Sequence, residues 1–376
     1  MAGIYIHIPF CSQACNYCDF HFSTNHSLVL EIGKAIISEL ELQRDYLGTE
    51  NIETIYLGGG TPSILDSSTI EKLLKSVYKN FTVVPGSEVT LEANPEDTTF
   101  EKLRELKSIG INRLSVGVQT FNDAVLKFLN RSHNGKQAKQ SIEIARKAGY
   151  TNLNLDLIYA IPGRDYKNLE QDLIQIIDLI PEHISAYSLT IEKNTVFGKW
   201  ADLRKLKIVS DEENASQFEI VFDKLHEAGY DHYEISNYAK PGFASIHNTN
   251  YWRQKKYLGV GPSAHSYNGF NRQANVSNNN SYLRSIQLGS IPATVEELKR
   301  EDLINEYIMT SLRTKWGCNL NYLKVEYQFD LMGSQPNSIQ WAIENGLMEL
   351  NELTLKLTQS GKMHSDKLSS DLFLIN

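Results

Sequence analysis

Ile4-Tyr5-Ile6-His7-Ile8-Pro9-Phe10-Cys11-Ser12-Gln13-Ala14-Cys15-Asn16-Tyr17-Cys18 is the stretch on which the reading of this chain turns. Its first five residues form a short β-branched run of strand character, and that strand empties into a loop holding three of the four cysteines in the sequence. Four cysteines cannot staple 376 residues, so the spacing points to a metal site in a reducing compartment. Five more short β-branched runs follow, at 52–57, 88–92, 113–118, 152–158 and 183–189, with longer amphipathic stretches between them. This alternation predicts an α/β fold: six β-α units around a parallel sheet, a partial, three-quarter β/α barrel of the TIM-like kind.

Between the strands, residues 66–80 open on Asp66-Ser67-Ser68, which offers capping oxygens, and place Ile70, Leu73, Leu74 and Val77 on one face. Gly110, Gly149 and Gly229 each follow an apolar-periodic run, where a helix ends in a left-handed turn. In such folds functional groups collect at the carboxyl ends of the strands. The first strand runs into Cys11, Cys15 and Cys18, and the second into Gly58-Gly59-Gly60-Thr61-Pro62. The third ends at Glu92, the fourth at Gln119, and the fifth carries Asp156. Past residue 190 the pattern loosens, with a helix near 211–228 and then an aromatic, Gly-rich stretch in which Asn278-Asn279-Asn280 reads as a polar loop. A helix at 301–313, another near 337–346 and an alternating strand from Leu353 suggest a small winged-helix-like C-terminal domain. The expected division is 1–235 for the barrel, 236–300 for a connecting segment and 301–376 for the small domain.

Charge excludes some partners. With 37 Lys plus Arg against 45 Asp plus Glu, the net charge is -8, the wrong sign for a general phosphate-backbone binder, so no nucleic-acid partner is expected. The N-terminus has no basic segment followed by an apolar core, and no apolar run approaches the roughly 18 to 20 residues that span a bilayer. The expected location is cytoplasmic, with any membrane contact peripheral.

Three thiolates are one ligand short of closing a 4Fe-4S cluster, which leaves one iron open to a small chelating molecule. The alternative is a Cys3His zinc site completed by His21 or His7. Cys318, far away and alone, reads as a small buried hydrophobe. The glycine triplet lets backbone approach a ligand without Cβ interference, with its carbonyls available to an ammonium and Thr61 fixing the turn.

The Cys11-x3-Cys15-x2-Cys18 loop with Tyr17, together with the Gly-Gly-Gly-Thr-Pro turn, resembles the radical S-adenosylmethionine (radical SAM) superfamily. Tyr5-Ile-His-Ile-Pro-Phe-Cys11 and Ser115-Val-Gly-Val-Gln119-Thr-Phe-Asn are similar to its oxygen-independent coproporphyrinogen dehydrogenase branch. The resemblance implies S-adenosylmethionine on the open iron, with Tyr5 and Tyr17 beside the cluster and Gly59, Gly60 and Thr61 near the methionine amino group. It places Glu92, Gln119, Arg131 and Asp156 around the rest: Arg131 can fork a carboxylate, and Glu92 and Asp156 can accept from ribose hydroxyls. Two departures matter. The dehydrogenases carry a fourth cysteine where Cys18 is followed by Asp19-Phe20, and a loop starting at residue 11 leaves no room for their N-terminal extension. Both point to the HemW-type sister family, associated with haem trafficking, as does His247-Asn248-Thr249-Asn250-Tyr251-Trp252, which matches its His-Asn-x-x-Tyr-Trp motif. The motif implies His247 as an axial ligand of haem iron, with Tyr251 and Trp252 offering flat apolar surface. His265 is a second candidate ligand, His133 and His232 weaker ones, and Arg253, Lys255 and Lys256 form a basic patch suited to propionates or anionic lipid. The expected partners are haem and a haem-acceptor protein, respiratory and membrane-associated. The competing expectation is a true dehydrogenase that oxidatively decarboxylates coproporphyrinogen III.

Overall fold

A computed structural model describes residues 1–375. Six strands run parallel and neighbour one another in chain order: β1 (Ala2–Ile8), β2 (Ile52–Gly59), β3 (Val83–Ala93), β4 (Arg113–Gln119), β5 (Leu153–Tyr159) and β6 (His183–Ser188). Two-residue periodicity sorts their side chains. On β1, Ile4, Ile6 and Ile8 are buried in one core with the apolar faces of the intervening helices, while Gly3, Tyr5 and His7 point to the opposite face. Helix 67–80 shows how those helices are set: the Asp66 carboxylate accepts from the Thr69 backbone N–H, and Ile70, Leu73, Leu74 and Val77 are buried. Gly110, Gly149 and Gly229 all take the positive φ their positions require.

Residues 236–300 do more than connect. β8 (Asn237–Ala239), together with β7 (Asp231–Glu234) just before the segment, adds antiparallel strands beyond β6, whereas β9 (Tyr257–Val260) joins the other edge, parallel to β1. The meander β10 (His265–Tyr267), β11 (Asn271–Asn275) and β12 (Ala293–Glu297) continues from β9, giving twelve strands in the order β12-β11-β10-β9-β1-β2-β3-β4-β5-β6-β8-β7. β1 and β6 do not pair, so the barrel is partial. The asparagine run is not a plain loop: Asn278 caps helix 279–287 by accepting from the Ser281 N–H.

The C-terminal unit has helix 300–312, strand 318–319, helices 320–326, 331–334 and 336–344, and the hairpin 348–351/354–357. Its own core gathers Ile304, Ile308, Leu312, Leu323 and Leu355 around buried Cys318. It meets the barrel through polar and aromatic contacts: Lys315 pairs with Asp231, the Arg313 guanidinium lies 5.2 Å from the Trp252 ring, and Arg253 lies 4.3 Å from Trp316. Among the described residues no helix is long and apolar enough to cross a membrane.

Candidate functional site

One face of the sheet carries two cavities. The first, about 620 Å³, lies over β2 to β6 and brings together Cys11, Cys15, Cys18, Tyr17, Gly59, Gly60, Thr61, Glu92, Gln119, Arg131 and Asp156. The cysteine loop is held in place from a distance. Gln13 donates to the Asn130 side chain at 2.7 Å, Asn130 returns a bond to the Ala14 carbonyl at 2.6 Å, and Asn16 donates to the Phe128 carbonyl at 2.8 Å. Thr61 Oγ1 and Arg131 Nη1 donate to Cys11 Sγ and Cys15 Sγ, each at 3.4 Å. Such donors favour thiolates and the negative charge of a thiolate-bound cluster.

Three free cysteines on one wall, with donors aimed at two of the sulfurs, fit an iron–sulfur centre. The zinc alternative does not fit. Both nitrogens of His7 are engaged, with Tyr5 Oη at 3.1 Å and the His21 carbonyl at 3.0 Å, and His21 Nε2 pairs with Asn279 Oδ1 at 2.9 Å. Both rings line the other cavity instead.

The glycine triplet is explained first by the protein's own packing. A Cβ at Gly58 would sit 3.1 Å from the Glu92 carboxyl carbon, one at Gly59 (φ +113°) 2.7 Å from the His7 ring, and one at Gly60 2.6 Å from the Phe10 carbonyl oxygen. The triplet therefore lets β2 close over the end of β1, and this brings Thr61 to Cys11.

Two carboxyls sit deep in the cavity. Burial pushes Glu92 up to about 7 although Tyr56 Oη and the Gly59 N–H donate to it at 2.8 and 3.2 Å, and burial pushes Asp156 up to about 6 although Asn154 donates at 2.7 Å. Arg131 is spoken for in part, donating to Asn94 Oδ1 at 2.6 Å and the Gly117 carbonyl at 3.1 Å, while its buried Nε has no partner among the described residues. Gln119 reaches the rim from a left-handed φ of 66° beside a bulge in β4.

Sequence reasoning missed Arg113, Ser115 and Gly117 on β4, Asn154 on β5, and Ser185 and Tyr187 on β6, all of which line this cavity. Their signal was present: polar or small residues at a spacing of two inside apolar strands mark the inward face of a barrel.

Several expected roles change. Tyr5 does not line the cluster cavity; its ring lines the second one. His247 is 2% exposed and not presented as a ligand: Nδ1 pairs with Thr54 Oγ1 at 2.8 Å, Nε2 with Tyr251 Oη at 2.9 Å, and the ring stacks on Tyr56 at 5.0 Å. Burial lowers its pKa to about 3, so it is neutral. His133 and His232 are also buried, bonded to the Val118 and Ile235 carbonyls. The basic run is no free patch, because Arg253 covers Trp316, Lys255 pairs with Glu53 at 2.6 Å and Lys256 with Glu50 at 3.3 Å. Tyr251, Trp252 and His265 do meet in one place, the second cavity of about 510 Å³, which shares Asp19 and Phe20 with the first.

The radical SAM superfamily model matches residues 5–176. The chain is 36% identical over 368 residues to the heme chaperone HemW of Bacillus subtilis, covering 96% of this chain and 97% of that one. It is 34% identical over 360 residues to the heme chaperone HemW of Lactococcus lactis, covering 95% and 93%. In fold it is similar to the coproporphyrinogen III oxidase HemN of Escherichia coli, a radical SAM enzyme, with a TM-score of 0.85 at 21% identity over 99% of this chain and 90% of that one. The chain belongs to the radical SAM superfamily and, within it, to the family of the heme chaperone HemW.

Proposed function

We propose that this protein is a haem chaperone that carries a 4Fe-4S cluster with S-adenosylmethionine, binds haem and passes it to an acceptor protein. The observation that carries the reading is near-full-length likeness to relatives named for that activity. Cys11, Cys15 and Cys18 would hold the cluster, with Arg131 supplying fixed positive charge beside Cys15. Glu92 and Asp156 would accept from the ribose hydroxyls, Gly59, Gly60 and Thr61 would lie near the methionine amino group, Tyr17 would close the cavity wall, and Gln119 would bound its rim. When bound, the cluster supplies an electron for reductive cleavage of the sulfonium. In the chaperone this chemistry would serve regulation of transfer or assembly rather than turnover. A cytoplasmic protein of this kind would meet a respiratory acceptor at the membrane surface, without a spanning helix of its own.

The second reading, coproporphyrinogen III decarboxylation, is favoured by the fold likeness to HemN and by the intact thiol and carboxylate set. One anaerobic experiment separates them. Protein reconstituted with iron and sulfide is incubated with haem or coproporphyrinogen III plus S-adenosylmethionine, following the Soret band, 5′-deoxyadenosine and protoporphyrinogen. A chaperone gives a shifted Soret band, haem passing to an apo-haem protein, and no protoporphyrinogen. Repeated turnover to protoporphyrinogen would establish the enzyme instead.

A further inference from the structure

The second cavity has a floor made by one sheet face. Tyr5 on β1 faces the same way as Gly3, which pairs with Tyr257 on β9; Tyr257 pairs with Tyr267 on β10, and His265 lies two residues before Tyr267 on the same face. Tyr251 and Trp252 come from helix 246–252, and Glu306 from helix 300–312 closes the far side through a 2.5 Å pair with Arg272.

Three imidazoles line this recess, and they differ in what they have left to give. His7 has both nitrogens engaged and is pushed down to about 4 by burial. His21 has one engaged. His265 is exposed, and among the described residues neither of its ring nitrogens has a hydrogen-bond partner. Its backbone, by contrast, is tightly fixed. A Cβ at Gly259 would stand 2.0 Å from the His265 carbonyl oxygen, and one at Gly261 (φ +103°) 2.4 Å from the His7 carbonyl oxygen, so the Gly259-Val-Gly261-Pro-Ser-Ala-His265 turn works only with those glycines. Ser266 completes it by accepting from the Gly259 N–H at 2.9 Å. An unpartnered imidazole on a rigid turn, in one recess with tyrosine and tryptophan rings, is what a flat, iron-centred tetrapyrrole needs from a protein. The charged groups lining the recess are Lys255, paired with Glu53, Arg272, paired with Glu306, and Asp19, so propionates would have to compete with those carboxylates for the two cations.

We propose that haem iron is taken by His265 in this recess, and that His247, behind it, is a positioning residue that holds Tyr251 rather than a ligand. The inference rests on the haem-chaperone reading and names the atom set that would carry it.

The test is a haemin titration of the cluster-loaded, full-length protein under nitrogen, read by Soret absorbance and EPR. Wild type gives an imidazole-ligated spectrum. His265→Ala, a change at an exposed side chain, loses that spectrum and binds at least about tenfold more weakly, and free imidazole restores it. His21→Ala keeps the wild-type spectrum. If His265→Ala retains the imidazole signature, or if His21→Ala alone removes it, the ligand assignment falls while haem binding stands. If wild type produces no Soret shift at all, the haem reading falls and the assignment with it.

Discussion

Glu92 and Asp156 are buried carboxyls in the cluster cavity, where the proposed function would bring them a cationic ligand. Burial raises Glu92 to about 7, above the ordinary carboxylate value near 4.5, so the folded protein holds its proton more firmly than the unfolded chain does. The stability this group contributes is present below the unfolded value and is lost as pH rises through about 7. Glu92→Gln keeps an acceptor for Tyr56 and Gly59 but removes the buried charge. Its melting temperature should therefore exceed that of wild type at pH 8, with the difference vanishing toward pH 5, as scanning calorimetry of the cofactor-free protein would record. S-adenosylmethionine, with its sulfonium and ammonium, should reverse the preference by favouring the ionised carboxylate. Calorimetric affinity of the cluster-loaded protein should fall from pH 8 to pH 6 in wild type and flatten in Glu92→Gln. A pH-independent wild-type affinity would mean that Glu92 does not face the ligand.

At the scale of elements, helix 246–252 shows both what the sequence disclosed and what it concealed. Its motif is legible, and so are the six strands, because β-branched runs and helix stops are local signals. What is not local is which way an imidazole points. That depends on Thr54, almost two hundred positions earlier, on Tyr56, whose ring lies against it, and on Glu88, which accepts from the His247 backbone N–H at 3.0 Å. The extra strands β9 to β12 were hidden for a similar reason: β11 is Asn271-Arg-Gln-Ala-Asn, poor in β-branched residues, and is held as a strand by its neighbours on both sides. The placement of His247 has a measurable consequence. His247→Ala removes a packed ring and orphans Thr54 Oγ1 and Tyr251 Oη, so urea unfolding of the cofactor-free protein should lose about 2 to 4 kcal/mol. A loss below about 0.5 kcal/mol, the scale of an indifferent surface change, would show that the ring is not holding this helix.

For the whole molecule, the decisive feature is that the second cavity is assembled from two units with separate cores. The barrel supplies the aromatic floor, and helix 300–312 supplies the far wall, but what joins them is largely polar: Lys315 on Asp231, Arg272 on Glu306, Lys362 on His232, a short backbone bridge between Glu234 and Thr314, and guanidinium groups over Trp252 and Trp316. Cation-π contacts of this kind contribute about 0.5 to 2 kcal/mol each, and exposed ion pairs less, so the wall is held more weakly than either core. Such a joint is expected to open before the domains unfold. Trp252→Ala deletes the ring beneath Arg313 without touching the C-terminal core, and amide exchange over residues 300–315 should then rise about tenfold or more while exchange in β2 to β5 stays at the wild-type rate. Haem should reverse the effect if it fills the recess, because a ligand touching both units lowers the population of the opened form by its binding free energy. Equal exchange in the two proteins would mean that the wall is held by the remaining contacts and that Trp252 serves only as lining.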